Sequence, residues 1–506
     1  MKKSGNLNPS ATFRKKLFSL IFFILLPIPY LTQLIKGQDN TLYLMPVIPQ
    51  ANQLNPAIIN HCRTYVELPV ISSIKLNIRN TAFGFHDVVH TGTGSNSGIY
   101  YFDWSNLESK LQKTNFFLVN TDIDLLGAGF SFKGWYFTFG IANHSEMRIE
   151  YPHDIASLKD GNWQTASGNP IPVNLNGLGI DITIWNSIGV SAAKEIGNGL
   201  TAGVRVKYLQ GMANIDTRRS NLDLNTFSNP IALAAQAQYR INSSFPVNLG
   251  YAANGLVNRV NFDNALNNIV GNYIFNGNRG LAIDAGIVYD MSDKTQITAS
   301  FTDLGFIWWR KNVNNFNGSA KSSFSGVDLN RLLANPGQTN LIQAIKDSIS
   351  QSFYAQGSKK GYVTLTSAKI FGGITYALTP ELKAGAMTRI EMYDFHIRPS
   401  LTFSMNYIPF PIVAATLSYT IMNNKFNQVG AGLALGNRGA QFYILTDNIP
   451  VRFTRDAGTS LIWPYNARMV SLRVGFNLLF NCKSKDNGQH SKKYKSSDYC
   501  PAYRQL

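Results

Sequence analysis

Charged residues and cysteines are scarce in this chain of 506 residues. Charged residues make up 15% of the sequence, whereas ordinary soluble domains carry about 25%, so a typical soluble surface is not encoded. The chain is nevertheless 44% hydrophobic, and this excludes disorder, which requires low hydrophobicity and high charge. Three cysteines are too few for a disulfide scaffold.

Long apolar runs are also lacking. After residue 40 no stretch reaches the roughly 20 consecutive apolar residues that a transmembrane helix requires, which excludes a bundle of membrane helices. Aromatic residues are frequent, at 12% of the chain. Low charge together with dispersed apolar residues is typical of a transmembrane β-barrel, whose strands alternate apolar and polar positions.

The first 37 residues have the composition of an export signal. Five basic residues and no acidic residue precede the apolar run Leu17–Leu26, and Pro27 and Pro29 follow it. We predict that residues 1–37 are a signal peptide that is removed after Gly37. A retained membrane helix is the alternative, and the two prolines and the short apolar run disfavour it.

Strand periodicity is the main signal in the rest of the chain. In Met469–Phe480, Leu472 and Val474 belong to an apolar set at every second position, and Arg473 and Asn477 belong to the opposite set. A tilted strand of this length spans roughly 28 Å, enough to cross the apolar core of an outer membrane. The same alternation recurs in Leu200–Leu209, Leu281–Tyr289, Leu382–Tyr393, Leu401–Tyr407, Val413–Ile421 and Val429–Leu435.

Short turns separate these strands at regular spacing, for example at Gly436–Gly439, which indicates an up-and-down meander. We predict an all-β fold with a single transmembrane antiparallel up-and-down β-barrel of about 14 strands, within a range of about 12 to 16. Short helices are expected in its loops. Ser105 and Glu108 have the spacing of a capping box, and helical periodicity predicts two more helices over 264–273 and 340–353.

The barrel is predicted to occupy residues 38–481. Alternation is unbroken as far as Phe480 and stops at Asn481, and the following segment 482–506 carries six basic residues against two acidic ones. A strand through that composition would place cations against lipid. We therefore predict that 482–506 is a basic periplasmic tail.

Several stretches of the chain together show a family resemblance. They are QDNTLYLMPVIPQANQLNPAI (Gln38–Ile58), VELPVISSIKLNIRNTAFGF (Val66–Phe85), GLAIDAGIVYD (Gly280–Asp290), SFTDLGFIWW (Ser300–Trp309), QFYILTDNIP (Gln441–Pro450), and LRVGFNLLFNC and CPAY near the end. The chain resembles a family of uncharacterised outer-membrane proteins of Bacteroidetes-type bacteria, which is similar in layout to FadL-like barrels. This resemblance implies a location in the cell outer membrane. It also implies that residues 38–59 form a lumen plug, because FadL-like barrels carry their N-terminal segment in the lumen.

Charged residues on the strands are predicted to face the lumen. A lipid-facing Lys or Arg costs about 2–4 kcal/mol at mid-bilayer, so these residues should lie on the inner face. They are Asp181, Arg205, Lys207, Asp284, Lys383, Arg389, Glu391 and Arg473. Two interpretations stay open: mutual ion pairing that rigidifies the interior, or a polar path or ligand site.

Cys482 and Cys500 flank the basic tail. Because the periplasm is oxidising, a disulfide between them is one interpretation, and it leaves Cys62 over. Free thiols are the other interpretation, and the sequence does not choose between the two.

No cofactor or metal site is predicted. The stretch FHDVVH (85–90) has two histidines four residues apart, but its strand-like and Gly-rich flanks favour a surface loop. His144-Ser145 and His153-Asp154 are adjacent pairs, and neither forms a recognised catalytic motif. We therefore expect a protein that is not an enzyme.

The composition and the resemblance together favour an outer-membrane β-barrel that passes or binds small hydrophobic or amphipathic compounds. Two alternatives stay open: a non-transporting scaffold or tether for envelope or secretion proteins, and an outer-membrane lipid hydrolase. The expected partners are outer-membrane lipid, a hydrophobic small-molecule ligand, and envelope or secretion proteins. No dense basic stripe with interleaved aromatics is present, so no nucleic-acid partner is expected.

Overall fold

The computed structural model describes the barrel and part of its loops. The described residues are 39–91, 100–160, 163–164, 169–170, 173–228, 231–245, 248–251, 257–261, 277–324, 353–393, 396–422, 425–449, 453–455, 462–464 and 468–482. The predicted signal peptide, the helix predicted over 264–273, the helix predicted over 340–353 except for its last residue, and the tail beyond Cys482 lie outside them. That last residue, Phe353, begins a strand.

Strands make up most of the described chain. In chain order they are β1 (Cys62–Glu67), β2 (Ile74–Asn80), β3 (Val89–Thr91), β4 (Tyr100–Phe102), β5 (Thr114–Phe132), β6 (Trp135–Pro152), β7 (Trp163–Gln164), β8 (Asn169–Pro170), β9 (Val173–Asn174), β10 (Gly179–Gly197), β11 (Leu200–Ser228), β12 (Ile231–Ser244), β13 (Asn248–Tyr251), β14 (Val257–Asn261), β15 (Asn278–Asp290), β16 (Thr295–Trp309), β17 (Asn315–Phe324), β18 (Phe353–Ser358), β19 (Tyr362–Leu365), β20 (Ala368–Ala377), β21 (Leu382–Tyr393), β22 (His396–Phe410), β23 (Val413–Met422), β24 (Lys425–Thr446), β25 (Phe453–Arg455), β26 (Ile462–Pro464) and β27 (Met469–Cys482). The helices are α1 (Asn40–Tyr43), α2 (Phe85–Val88), α3 (Trp104–Lys110) and two 3-10 helices, Pro49–Gln53 and His153–Asp160. In the part of the chain that the structure describes, no helix is both long enough and apolar enough to span a membrane.

The main sheet closes into an antiparallel β-barrel of 14 strands. β1 and β2 are two parts of one barrel strand, because both lie between β27 and β5. β24 contributes two barrel strands: its first part pairs with β23 and its second part with β27. It turns back at Gly436 and Gly439, whose φ angles of 97° and 77° suit glycine. The ring runs through β1 with β2, β5, β6, β10, β11, β15, β16, β20, β21, β22, β23, both parts of β24, and β27. The predicted fold class and strand number are confirmed.

The two faces of the strands differ as the alternation predicts. In β27, Leu472 and Phe480 are 41% and 44% exposed, whereas Arg473 and Asn477 are 6% and 0% exposed. Exposed apolar side chains recur on the outer face around the ring, and we call them the apolar belt: Val204, Val206, Leu281, Ile283, Phe403, Met405, Tyr407, Leu417, Phe442, Ile444, Leu472 and Phe480. The predicted end of the last strand at Phe480 is two residues short, because its pairing with β1 continues to Cys482. Cys482 therefore belongs to the barrel and not to the tail predicted over 482–506.

The two ends of the barrel differ in their connections. At one end, which we call the short-turn end, tight turns such as Lys133-Gly134 and Asn198-Gly199 join neighbouring strands through residues with positive φ. The barrel begins and finishes here, since Thr64 of β1 lies opposite both Phe130 and Phe480. The longer connections lie at the other end. There β12 pairs with the second part of β11, from Asn214 to Ser228, and β17 and β18 extend the sheet further.

Candidate functional site

The lumen is occupied by residues 39–61, which precede β1 and which we call the inner segment. Its apolar side chains pack against one another and against the strands, and Ile48 and Ala51 are fully buried. The resulting cluster comprises Leu42, Tyr43, Leu44, Met45, Val47, Ile48, Ala51, Leu54, Ala57, Ile58, Val288, Phe371, Met387, Ala414, Ala434, Tyr443 and Leu445. The largest apolar cluster of the described chain is therefore built around the inner segment.

Polar side chains tie the inner segment to strands on separate sides of the ring. Gln50 Nε2 donates a hydrogen bond to Asn477 Oδ1 of β27 at 2.7 Å. On the β16 side, Ser300 Oγ donates to the carbonyl oxygen of Leu54 at 2.7 Å. Such bonds satisfy polar groups that burial has removed from water. The inner segment is thus held by side-chain contacts and not as a strand of the sheet.

Asp39 carries the negative charge at the start of the inner segment. Its carboxylate lies 2.7 Å from Lys75 Nζ and 2.9 Å from Arg473 Nη2, and all three side chains are buried. Burial raises the pKa of the Asp39 carboxyl, but the two cations outweigh burial and hold the pKa well below its usual value. Asp39 therefore stays ionised and connects the inner segment to β2 and β27.

Asp447, directly after β24, behaves in the opposite way. Its Oδ1 accepts a hydrogen bond from the backbone N–H of Thr41 at 2.9 Å. Burial, with a further contribution from the charge of Asp39, raises the pKa of the Asp447 carboxyl to about 6. This carboxyl therefore changes protonation over roughly pH 5 to 7, beside the first residues of the inner segment.

The eight charged residues predicted from the alternation lie at inner-face positions of their strands, and some of them form a cluster. Lys207 Nζ lies 2.8 Å from Asp284 Oδ2, and Arg205 contacts the same oxygen at 3.4 Å. Arg389 and Glu391 form a separate pair at 3.1 Å. These five side chains are mostly or fully buried, and ion pairing accounts for their arrangement.

The other three predicted residues are not part of that cluster. Arg473 binds Asp39, as described above. Asp181 Oδ1 accepts a hydrogen bond from the backbone N–H of Thr217 at 3.0 Å. Lys383 lines a separate, mainly apolar cavity.

A polar chamber of about 110 Å³ lies beside the inner segment. Its charged lining comprises Asp39, Glu67, Lys75, Asp122, Asp124, His144, Glu146, Arg205, Lys207, Asp303, Lys369, Glu391 and Arg473. Asp303 Oδ1 lies 2.6 Å from Lys207 Nζ, and its Oδ2 lies 3.0 Å from Lys369 Nζ. Sequence reasoning missed Lys75, Asp122, Asp303 and Lys369. Alternation within their strands would have placed Lys75, Asp122 and Lys369 on the inner face. Asp303 has a φ of 60° and lies where the pairing of β16 with β15 shifts register, so alternation does not place it.

His144 of β6 lines this chamber and connects two neighbouring strands. Its Nδ1 lies 2.7 Å from Asp122 Oδ1 of β5, and its Nε2 lies 2.9 Å from Ser187 Oγ of β10. The Trp185 indole stacks on the imidazole, with ring centroids 5.0 Å apart. Successive residues of a strand point to opposite faces, so Ser145, the sequence neighbour of His144, lies on the other face of β6.

An apolar cavity lies between the inner segment and the strands from β15 to β23. The inner segment contributes Tyr43, Leu44 and Ile58, and the strands contribute Val288 and Ile408 among others. The remaining lining residues are Met45, Pro46, Val47, Ala57, Ile59, Gln296, Thr298, Gly373, Thr375, Lys383, Asn406, Ala414 and Ala415. This cavity and the polar chamber thus differ in chemistry, although the inner segment lines both.

One disulfide crosses the closure of the barrel. Cys62 and Cys482 are bonded, with their sulfur atoms 2.03 Å apart. The pairing considered from the sequence, between Cys482 and Cys500, is therefore wrong. The physical reason is register, because β1 begins and β27 ends at the short-turn end and their pairing sets Cys62 opposite Cys482.

A family model described as a family of unknown function, DUF5723, matches residues 56–447. The chain belongs to this family. The matched part of this DUF5723 chain contains the barrel strands from β1 to β24. The family description gives no activity and no bacterial group, so the Bacteroidetes-type origin stays a prediction. No curated protein matches the chain in sequence.

Three solved structures similar to this DUF5723 chain are described by their names. The TodX monoaromatic hydrocarbon channel, as a deltaS2 mutant, is 10% identical, with 85% of this chain and 94% of that chain covered and a TM-score of 0.40. The toluene transporter TbuX of Ralstonia pickettii is 9% identical, with 85% and 93% covered and a TM-score of 0.39. A Pseudomonas aeruginosa FadL homologue is 9% identical, with 86% and 94% covered and a TM-score of 0.35.

Proposed function

We propose that this protein is an outer-membrane β-barrel that passes or binds small hydrophobic or amphipathic compounds. The observation that carries the proposal is the apolar cavity between the inner segment and the barrel wall. Ligand sites are mostly apolar clefts with a few polar groups that fix orientation. Here Leu44, Ile58 and Val288 supply apolar surface, and Gln296 and Lys383 are among the polar groups.

The outer face of the barrel supports a membrane location. Side chains of the apolar belt such as Val204, Leu281 and Phe403 are 54%, 53% and 47% exposed. Soluble monomers rarely expose large contiguous apolar surface, whereas an outer-membrane barrel presents an apolar band to lipid. We therefore propose outer-membrane lipid as the partner of the belt, with the short-turn end in the periplasm, where barrels of this kind have their short turns.

Passage requires the inner segment to move, since it fills much of the lumen. We propose that it acts as a plug. Its contacts with the wall are side-chain hydrogen bonds, the ion pairs of Asp39 and apolar packing, so it can shift without breaking the backbone pairing of the strands. A compound in the apolar cavity would touch the inner segment and the wall together and would change the balance of those contacts.

Binding to the cavity is tested with an apolar fluorescent probe. The purified full chain in detergent is titrated with 1-N-phenylnaphthylamine, and the bound fraction is read from its fluorescence. Ala414→Leu fills the cavity from β23 and should weaken binding at least tenfold. Ala386→Leu adds the same atoms on the face of β21 opposite to buried Met387, and should leave the affinity unchanged. Equal affinities of the wild type and both variants would contradict binding in this cavity.

A further inference from the structure

Asp122, His144 and Ser187 come from three adjacent strands and meet in the polar chamber. We propose that they form a serine-nucleophile site that hydrolyses small carboxylic esters inside the barrel. The proposal goes beyond passage or binding of hydrophobic compounds, because it concerns a different cavity and a chemical step. It rests on the contacts of 2.7 Å and 2.9 Å that His144 makes with Asp122 and Ser187. A catalytic triad is recognised by such geometry and not by order in the chain.

The direction of the hydrogen bonds follows from chemistry. An ionised carboxylate only accepts hydrogen bonds, so His144 Nδ1 carries the proton that is directed at Asp122 Oδ1. In a neutral imidazole the other nitrogen is then an acceptor, and Ser187 Oγ–H donates to Nε2. This is the tautomer in which a histidine acts as general base toward a serine.

The orientation of the imidazole is fixed from several sides. Lys75 Nζ lies 3.0 Å from Asp122 Oδ2, so both oxygens of the Asp122 carboxylate are held. Trp185 stacks on one face of the His144 ring. An orienting carboxylate and a packed ring keep the base aligned with its nucleophile.

Two cationic side chains of the chamber, those of Arg205 and Lys207, lie near Ser187, and both are ion-paired with Asp284. Ser187 lies opposite Leu209 of β11, so Lys207 is its diagonal neighbour on the same face, at about 7 Å between backbone positions. The side chains of Arg205 and Lys207 pass over Gly189, because a Cβ at that glycine would lie 3.3 Å and 3.4 Å from them. Cations in a closed polar site stabilise the oxyanion that forms when an ester carbonyl is attacked.

The reaction that these groups support is ester hydrolysis through an acyl-serine. Ser187 Oγ bonds to the ester carbonyl carbon while its proton passes to His144 Nε2. The carbon–oxygen bond to the alcohol then breaks, and the alcohol leaves with that proton. Water next attacks the acyl-serine, gives a proton to His144, and releases the carboxylic acid as the proton returns to Ser187 Oγ. The chamber of about 110 Å³ favours acyl groups of the size of acetyl.

A hydrogen-bonded serine is not in itself reactive, and β10 offers a matched comparison. Ser191 lies four residues after Ser187 on the same face and is also buried. Its Oγ lies 2.5 Å from Thr138 Oγ1, a partner that cannot serve as a base. Ser191 therefore has a similar environment without a histidine.

The first test is covalent labelling of the full chain in detergent with a short-chain fluorophosphonate, followed by mass spectrometry of the labelled peptides. We expect labelling at Ser187, complete loss in Ser187→Ala, at least about a 100-fold lower rate in His144→Asn, and no change in Ser191→Ala. Unheated gels establish that each variant retains the barrel. No labelling of the folded wild type, or labelling that survives Ser187→Ala or His144→Asn, would overturn the proposal.

Asp122 is a positioning residue, and its role needs a separate readout. In Asp122→Asn, one orientation of the new amide turns its NH₂ group, a donor, toward the N–H at His144 Nδ1, where the carboxylate had accepted a hydrogen bond. This substitution should lower the labelling rate at least about 100-fold. Asp122→Glu keeps the carboxylate and should restore part of the rate. Hydrolysis of p-nitrophenyl acetate should follow the same order among the variants. Equal rates for the Asn and Glu variants would remove Asp122 from the site.

Discussion

The polar chamber and the apolar cavity share the inner segment as part of their lining, yet they differ in chemistry. Asp39 and Gln53 of the inner segment line the chamber, whereas Leu44 and Ile58 line the cavity. The strands match this division in part, because the chamber takes many charged side chains from the wall, whereas the cavity takes one charged side chain, Lys383, together with uncharged polar and apolar ones. The inner segment is therefore a two-sided element, anchored by charge toward the polar chamber and by apolar packing toward the apolar cavity.

The largest expected effect on stability comes from breaking the ion pairs that anchor the inner segment at Asp39. Arg473→Met leaves buried Asp39 with Lys75 as its remaining cation, and removing one member of a buried ion pair costs about 3–5 kcal/mol. The measurement is the urea concentration at which the compact barrel band disappears from unheated gels. Arg63→Met, at an exposed position of β1, is the control and should change stability by no more than about 0.5 kcal/mol. Similar midpoints for both variants would show that the charged anchor does not hold the fold.

Enlarging the apolar cavity should lower stability by a somewhat smaller amount, and it should strengthen the binding of bulky apolar compounds. Leu44→Ala removes a buried side chain that lines the cavity, and such changes cost about 3 kcal/mol. The larger cavity should then bind bulkier apolar probes more tightly than the wild type does. Leu281→Ala, on the apolar belt, should leave probe binding unchanged. If both variants bind the bulkier probes equally, the cavity is not the binding site.

The smallest expected effect on stability concerns Asp447, and this effect depends on pH. Its pKa of about 6 in the fold lies above the usual value, so the neutral form is the one that the fold favours. The contribution to stability is therefore full below about pH 4 and is lost as the pH rises through about 6. Asp447→Asn should remove this loss and make the protein more stable at pH 8 by about 2 kcal/mol.

Urea midpoints at pH 5 and pH 8 check this prediction. The difference between Asp447→Asn and the wild type should be larger at pH 8 than at pH 5. Asp293→Asn, in the exposed turn between β15 and β16, is the control for loss of a carboxylate. A difference that grows toward low pH would show that the sign is wrong.

The barrel wall could be predicted from the sequence because alternation is a local property. Leu472 outside and Arg473 inside follow from a period of two and from the cost of a cation in lipid. Local signals were less accurate at element ends. The N-cap of α3 is Asp103, which accepts a hydrogen bond from the backbone N–H of Asn106, while the predicted capping box placed it at Ser105.

Contacts between distant strands could not be predicted. Cys62 and Cys482 are 420 residues apart in the chain, and only closure of the barrel sets them opposite each other. Asp122, His144 and Ser187 lie on three strands, so a search for neighbouring residues cannot find them. Their contact depends on the register of β5 with β6 and of β6 with β10, which the sequence pattern of one strand does not contain.

Photo-crosslinking tests most directly whether the apolar cavity receives small hydrophobic compounds. The purified full chain is illuminated with 3-trifluoromethyl-3-phenyldiazirine, and mass spectrometry locates the adducts. We expect adducts at lining residues such as Tyr43, Leu44, Val288 or Ile408, and their loss in Ala414→Leu but not in Ala386→Leu. Adducts confined to the apolar belt or to the polar chamber would contradict the proposed binding site.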